Sequence, residues 1–283
     1  MLAMPSIRTT VSALLLASSV CSLPAWAESR CTDTKKNGLK PATVSCTYEQ
    51  TEIDSGSVGK RQVIYQTPLG TPPAEGWPVV VIYQGSFFPL KNFTYNSLMP
   101  FGGYYQGKVI QTLLDHGYAV IAPSALADLF WQTNIPPFDL AYEQSNDFTF
   151  LNNVLQAMQQ GRFGTLNKQR QYATGISSGG YNTSRMAVSF QGQFKALVIQ
   201  SGSYANCGGP LCVVPKKLPA DHPPTYFLQG FIDPIVPWWT AEMYHKRLAE
   251  QGIETGMYTD KLGGHEWFPA SPEKVLEWFN RHP

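Results

Sequence analysis

Short runs of consecutive apolar residues alternate along this chain with stretches whose apolar residues return every three or four positions. Pro78-Val79-Val80-Val81-Ile82-Tyr83, Gly117-Tyr118-Ala119-Val120-Ile121-Ala122, Ala196-Leu197-Val198-Ile199 and Thr225 to Leu228 read as buried strands, with shorter ones at Gln171 to Thr174 and near Gly256 to Thr259. Helices are expected over Gly103 to His116, Phe148 to Gln160, Tyr181 to Phe190, Trp239 to Glu250 and Pro272 to Arg281. In the second of these, Phe148, Leu151, Val154, Leu155 and Met158 fall at helical spacing. Upstream, Thr43 to Thr67 alternates in character. Strands that are apolar at every position must be covered on both faces, so the pattern predicts an α/β fold with a mostly parallel central sheet between helices. Functional groups in such a sheet lie in loops beyond the carboxyl ends of the strands. No linker, low-complexity tract or repeat interrupts residues 28–283, which are expected to form one domain.

The first 27 residues stand apart. They carry Arg8, the apolar run Val11 to Ala17 and the small-x-small triplet Ala25-Trp26-Ala27, the pattern of a cleaved secretory signal peptide. The run is shorter than a bilayer requires, so no membrane anchor is expected. Val20 before Cys21 argues against a lipidated N-terminus. Export to an oxidising compartment turns Cys31, Cys46, Cys207 and Cys212 into disulfide candidates. Four cysteines allow three connectivities; proximity favours Cys31 with Cys46 and Cys207 with Cys212. No CxxC pair or neighbouring histidine supports a metal site, and no cofactor is implied. Charged residues make up 14% of the chain, 21 basic and 20 acidic, and no basic run occurs. That balance excludes nucleic-acid binding, which needs clustered Lys and Arg.

Gly175-Ile176-Ser177-Ser178-Gly179 fits G-x-S-x-G between an expected strand and an expected helix, the setting of a nucleophile elbow. A serine hydroxyl needs a general base, and the base needs a carboxylate to set its tautomer. Asp233 follows the Thr225 strand and His265 follows the last strand, giving the order Ser, Asp, His at one end of the sheet. The alternatives are poorly placed. His245 falls within a helix, His116 ends one, His222 and Asp221 precede their strand, and His282 is terminal; Asp260 crowds the last strand and Glu266 adjoins His265. An oxyanion needs two backbone donors. The Ser178 N–H is one candidate, and the Ser86 N–H the other, with Phe87 as its substitute.

The run from Gly175 to Met186, with Gly230 to Pro237 and Gly263 to Trp267, resembles the secreted medium-chain-length polyhydroxyalkanoate depolymerases of the pseudomonad type. The likeness extends over essentially the whole chain. It implies an α/β-hydrolase fold, and hydrolysis of ester bonds in a hydrophobic aliphatic polyester of the poly(3-hydroxyoctanoate) kind, with Ser177, Asp233 and His265 as the triad. The alternatives are a secreted carboxylesterase or lipase for soluble or lipid esters, and a non-catalytic surface-binding protein on the same fold.

Aromatic residues gather in the loops expected to carry this chemistry. Phe87, Phe88, Phe93, Tyr95, Phe101, Tyr104 and Tyr105 follow the first apolar strand, Phe130, Trp131, Phe138 and Tyr142 follow the second, and Trp238 and Trp239 follow Asp233. Phe87, Phe88, Trp131, Trp238 and Trp239 are the expected substrate contacts, because an exposed apolar patch beside the triad would bind a hydrophobic chain. Only about 24 residues separate the Ala196 and Thr225 strands, too few for a large helical lid.

Overall fold

The computed structural model describes Met1 and residues 28–88, Leu90 and 92–283, so the expected signal peptide lies outside the described residues. Eight strands form the main sheet in the order β11-β10-β9-β8-β5-β7-β4-β3. β5 (Trp77–Tyr83), β7 (Ala119–Pro123), β8 (Leu166–Ile176), β9 (Ala196–Gln200), β10 (Thr225–Gly230) and β11 (Thr255–Asp260) are parallel, and the hairpin β3 (Glu49–Asp54) and β4 (Lys60–Gln66) joins antiparallel to β7. The helices are α1 (Gly103–Asp115), α2 (Asn146–Gln159), α3 (Ser178–Ser189), α4 (Trp238–Glu250) and α5 (Ser271–Arg281).

β5 shows why its sequence is apolar throughout. Val80 and Ile82 pack with Val109, Ile110 and Leu113 of α1 and Val275 and Phe279 of α5. Val79, Val81 and Tyr83 pack with Phe150, Leu151 and Val154 of α2. The period-two alternation of a strand thus feeds two separate cores. Fully burying each such valine or isoleucine is worth roughly 1.5–3 kcal/mol. A third core sets Ala241, Tyr244 and Leu248 of α4 against Ile199 and Phe227.

Two elements depart from the pattern. β8 begins five residues before the expected Gln171, because Leu166 pairs with Trp77 across an irregularity in β5 and draws polar Asn167 to Arg170 into the strand. The alternating stretch from Thr43 is divided between two sheets. β3 and β4 join the main one, whereas β2 (Thr43–Cys46) forms a small antiparallel sheet with β1 (Cys31–Thr34) and β6 (Thr94–Asn96). A Cys31–Cys46 disulfide ties β1 to β2. The small sheet anchors the excursion between β5 and α1, which forms much of the cavity described next.

Candidate active site

β8 ends at Ile176 and α3 starts at Ser178, so the reversal of the chain falls on Ser177 alone. Its backbone stands at φ 57° and ψ −122°, a left-handed conformation that costs an L-residue about 1–3 kcal/mol. The flanking glycines make the turn possible. A Cβ at Gly175 would stand 2.6 Å from the Gly179 carbonyl oxygen and 2.7 Å from that of Tyr83, and one at Gly179 would collide with the Tyr83 and Gln84 carbonyls. The Ser177 N–H donates to Gln200 O at 3.1 Å, which fixes the elbow to the next strand.

Asp233 sits in the loop after β10 and is buried. Its Oδ1 accepts the Ile235 and Val236 N–H groups, each at 2.8 Å, and its Oδ2 accepts Gln229 Nε2 at 3.1 Å and His265 Nδ1 at 2.8 Å. With Nδ1 donating to the carboxylate, the neutral ring keeps Nε2 as its acceptor. His265 and Ser177 line one cavity of about 930 Å³. Among the described residues no hydrogen bond joins Ser177 to His265, a contact that commonly tightens only when substrate is bound.

That cavity is walled mainly by apolar side chains, including Phe87, Phe88, Met99, Phe101, Ile176 and Ile235. The Phe101 ring meets His265 edge-on at 5.5 Å and Phe88 at 4.9 Å. A second cavity of about 200 Å³, lined by Phe130, Asn134, Tyr181 and Gly209 among others, shares Ser86, Ser177 and Ile235 with the first. Ser177 therefore stands where two compartments meet. The expected oxyanion donors adjoin it. The Phe87 N–H is taken by Leu129 O at 2.7 Å, which removes the substitute candidate, whereas no protein acceptor among the described residues meets the Ser86 or Ser178 N–H. The Ser178 hydroxyl accepts the Trp131 N–H at 2.9 Å.

Of the expected substrate contacts, Phe87 is 67% exposed and lines the large cavity together with the less exposed Phe88. Trp131 does not touch a substrate surface. It is 0% exposed, its indole N–H donates to Gln84 O at 3.1 Å and its ring packs edge-on against Tyr83, so it belongs to the core beneath the loop. Trp238 and Trp239 line neither cavity. Trp238 is half-buried, bonded to Thr259 Oγ1 and packed on Phe231, and Trp239 is 43% exposed on α4. The connection from β9 to β10 holds no helix. Cys207 and Cys212 are disulfide-bonded within it, next to Gly209 of the small cavity.

The other histidines serve elsewhere. His222 is buried, with Nδ1 donating to Pro223 O at 2.8 Å and Nε2 accepting the Tyr244 hydroxyl at 2.6 Å; burial pulls its pKa down to about 4. His245 lies on α4, and burial lowers its pKa too. His116 follows α1 and His282 follows α5, where it pairs with Glu254. Among the described residues no group of His, Cys, Asp or Glu is placed to hold a metal, and no helix is long and apolar enough to cross a membrane.

Sequence reasoning missed three glutamines that brace these loops. Gln84 follows β5, accepts the Ala125 N–H at 3.0 Å and donates to Asp128 O at 3.1 Å. Gln200 ends β9; its Nε2 donates to Glu266 O at 2.7 Å and its Oε1 accepts the Ser271 hydroxyl at 2.8 Å, holding the histidine loop. Gln229, one residue before the end of β10, links Asp233 Oδ2 to Val236 O. A buried amide at the end of an apolar strand is the signal they share.

No family model matches the chain. A poly(3-hydroxyoctanoate) depolymerase of Pseudomonas fluorescens is 68% identical over 278 residues, covering 98% of this chain and 99% of the relative. Among solved structures, an acylaminoacyl peptidase of Pyrococcus horikoshii superposes with a TM-score of 0.59 at 18% identity over 86% of this chain, which spans only 42% of the peptidase. An S-formylglutathione hydrolase of Staphylococcus aureus gives 0.56 at 14% identity over 83% of this chain and 98% of its own. Esterase PE8 gives 0.53 at 17% over 77% and 99%. The likeness to these structures is one of fold, the α/β-hydrolase arrangement expected from the sequence.

Proposed function

The chain belongs to the poly(3-hydroxyoctanoate) depolymerase family and is an ester hydrolase, and on that footing we propose that it cleaves a medium-chain-length aliphatic polyester outside the cell, with Ser177, His265 and Asp233 as its triad. The observation that carries this reading is a serine held at a left-handed elbow at the edge of a large apolar cavity, which it shares with a histidine bonded to a buried carboxylate.

His265 Nε2 takes the proton from Ser177 Oγ as the oxygen attacks the ester carbonyl. The oxyanion forms against the N–H groups of Ser86 and Ser178. His265 then gives the proton to the departing alcohol oxygen as the C–O bond breaks, leaving an acyl group on Ser177. Water, deprotonated by His265, attacks this acyl-enzyme, and the proton returns to Ser177 Oγ as the hydroxyacid leaves. Asp233 holds the imidazole in place and stabilises its cation throughout. The catalytic domain comprises residues 28–283, with 1–27 removed on export. The Arg8, Val11 to Ala17 and Ala25 to Ala27 pattern supports export, and two disulfides suit an oxidising compartment.

Clearing of a poly(3-hydroxyoctanoate) latex by the wild-type protein and its loss in Ser177→Ala is the test. Undiminished clearing by the variant would remove Ser177 from the mechanism. Hydrolysis of p-nitrophenyl octanoate with the latex left turbid would instead favour an esterase for soluble substrates.

A further inference from the structure

The two oxyanion donors of the proposed mechanism come from different parts of the chain. Ser86 lies in the turn after β5, and Ser178 opens α3 behind the elbow. β5 and β8 pair only as far as Tyr83 with Gly175, so no ladder hydrogen bond sets the two turns against each other beyond that point. Two N–H groups that are to share one oxygen must nevertheless be held to within about 0.5 Å of the productive geometry.

The loop that follows β7 supplies the link. Gln84 Oε1 accepts the Ala125 N–H at 3.0 Å, Gln84 Nε2 donates to Asp128 O at 3.1 Å, and the Phe87 N–H donates to Leu129 O at 2.7 Å. The Gly85-Ser86 step is thus flanked on both sides by residues bonded to this loop. Trp131 then joins it to the elbow: the indole N–H donates to Gln84 O at 3.1 Å, and the main-chain N–H donates to the Ser178 hydroxyl at 2.9 Å. Of these contacts, those of Trp131 alone span both donor segments.

Trp131 is itself held fast. It is fully buried, its ring meets Tyr83 edge-on at 5.2 Å, and the Arg61 guanidinium stands 5.3 Å from its centroid. Arg61 pairs with Asp147 at 2.6 Å, and the other oxygen of that carboxylate accepts the N–H of Gln132, the next residue along. Water does not compete for these buried bonds, which makes them stiff. A phenylalanine would fill much of the same space; what the indole adds is the N–H that reaches Gln84.

We propose that Trp131 is a positioning residue for catalysis, setting the distance between the Ser86 and Ser178 N–H groups by bonding to Gln84 on one side and to the Ser178 hydroxyl on the other. It lines neither cavity and acts only through the two donors. This rests on Ser177 as the nucleophile and on Ser86 and Ser178 as the oxyanion donors.

The experiment uses Trp131→Phe, which keeps a ring but loses the indole N–H, and Ser178→Ala, which loses the hydroxyl but keeps the main-chain N–H. Two readouts are taken: steady-state hydrolysis of p-nitrophenyl octanoate, and inhibition by an octyl trifluoromethyl ketone. Ser177 Oγ adds to the carbonyl carbon of that ketone, its proton passes to His265, and the carbonyl oxygen becomes an oxyanion, so the inhibition constant reports the donors directly. Each variant is expected to lower kcat about tenfold and to raise the inhibition constant by a similar factor, the effect of about one hydrogen bond, with KM within a factor of two. The double variant should lose little more than either single one, because each substitution breaks the same link. Should Trp131→Phe fail to fold, Ser178→Ala decides by the same two readouts. A folded variant with a lowered melting temperature but unchanged kcat and inhibition constant overturns the proposal, as does a double variant whose loss is the product of the two. If the ketone fails to inhibit the wild type, the serine and oxyanion reading falls, and the positioning role with it.

Discussion

Asp233 engages His265 with one oxygen only: Oδ2 lies 2.8 Å from Nδ1, while Oδ1 is occupied by the N–H groups of Ile235 and Val236. The loop after β10 thereby fixes the carboxylate before the histidine meets it, so the imidazole is aligned by a group that cannot turn.

Replacing Asp233 by Asn keeps the loop acceptor and puts an NH₂ opposite Nδ1. The ring must then hold its proton on Nε2, facing Ser177 as a donor instead of a base. The expected result is a fall in kcat of about 10³–10⁴-fold with the fold intact. Steady-state hydrolysis of p-nitrophenyl octanoate, with circular dichroism as the control, measures it. Activity within tenfold of wild type would dismiss Asp233 as the orienting acid.

Gln229 acts one step back from the chemistry. Its amide bridges Asp233 Oδ2 and Val236 O, so Gln229→Leu frees the loop that aims the acid without touching the cavities. We expect kcat to fall about tenfold, the equivalent of losing one buried hydrogen bond worth about 1.4 kcal/mol, with KM within a factor of two. A lowered melting temperature with kcat unchanged would make the residue structural only.

What the sequence disclosed and what it withheld follow from the range of the interactions involved. The parallel strands and five helices were legible because each apolar run or helical stripe is a local signal. The elbow was legible because its steric demand falls on Gly175 and Gly179, two residues from Ser177. Trp131 and Phe87 gave the same signal, an aromatic in the loop that follows a strand, yet one is buried and the other exposed. The difference is the Gln84 carbonyl that captures the Trp131 indole, a contact across 47 residues. Likewise, alternation in Thr43 to Thr67 assigns faces but no partners, so the division between two sheets could not be read from it.

His222 predicts a pH dependence of stability. Its folded pKa is lowered, mainly by burial, to about 4, against about 6.5 in an unfolded chain. Below pH 6.5 the unfolded chain binds a proton that the folded one refuses, so stability falls as pH drops towards 4 and this contribution levels off below that. The loss amounts to about 3 kcal/mol. Urea denaturation at pH 7 and pH 4 should show His222→Gln losing less stability than wild type by about that amount. Parallel losses in the two proteins would mean that the acid lability lies in other groups.

The last prediction concerns how the protein meets an insoluble substrate. Among the loops leaving the carboxyl ends of β9, β10 and β11, Leu211, Val213, Phe231, Ile232 and Leu262 are exposed, and the Ile232 N–H donates to Gly263 O at 3.2 Å, tying two of these loops together. These loops leave the end of the sheet that carries Ser177, and none of the five residues lines either cavity. Exposed apolar side chains gathered on one rim mark an association surface, and 21 basic against 20 acidic residues give it little electrostatic help. Adsorption to polyester granules is therefore expected to survive 1 M salt, where charge attraction is screened beyond roughly 3 Å, and to yield to mild detergent. Leu211→Ser combined with Val213→Ser and Leu262→Ser should weaken granule binding several-fold and slow latex clearing, while turnover of p-nitrophenyl octanoate stays near wild type. Release of the wild-type protein by salt alone would overturn the hydrophobic account, because apolar association is strengthened, not screened, by salting-out ions.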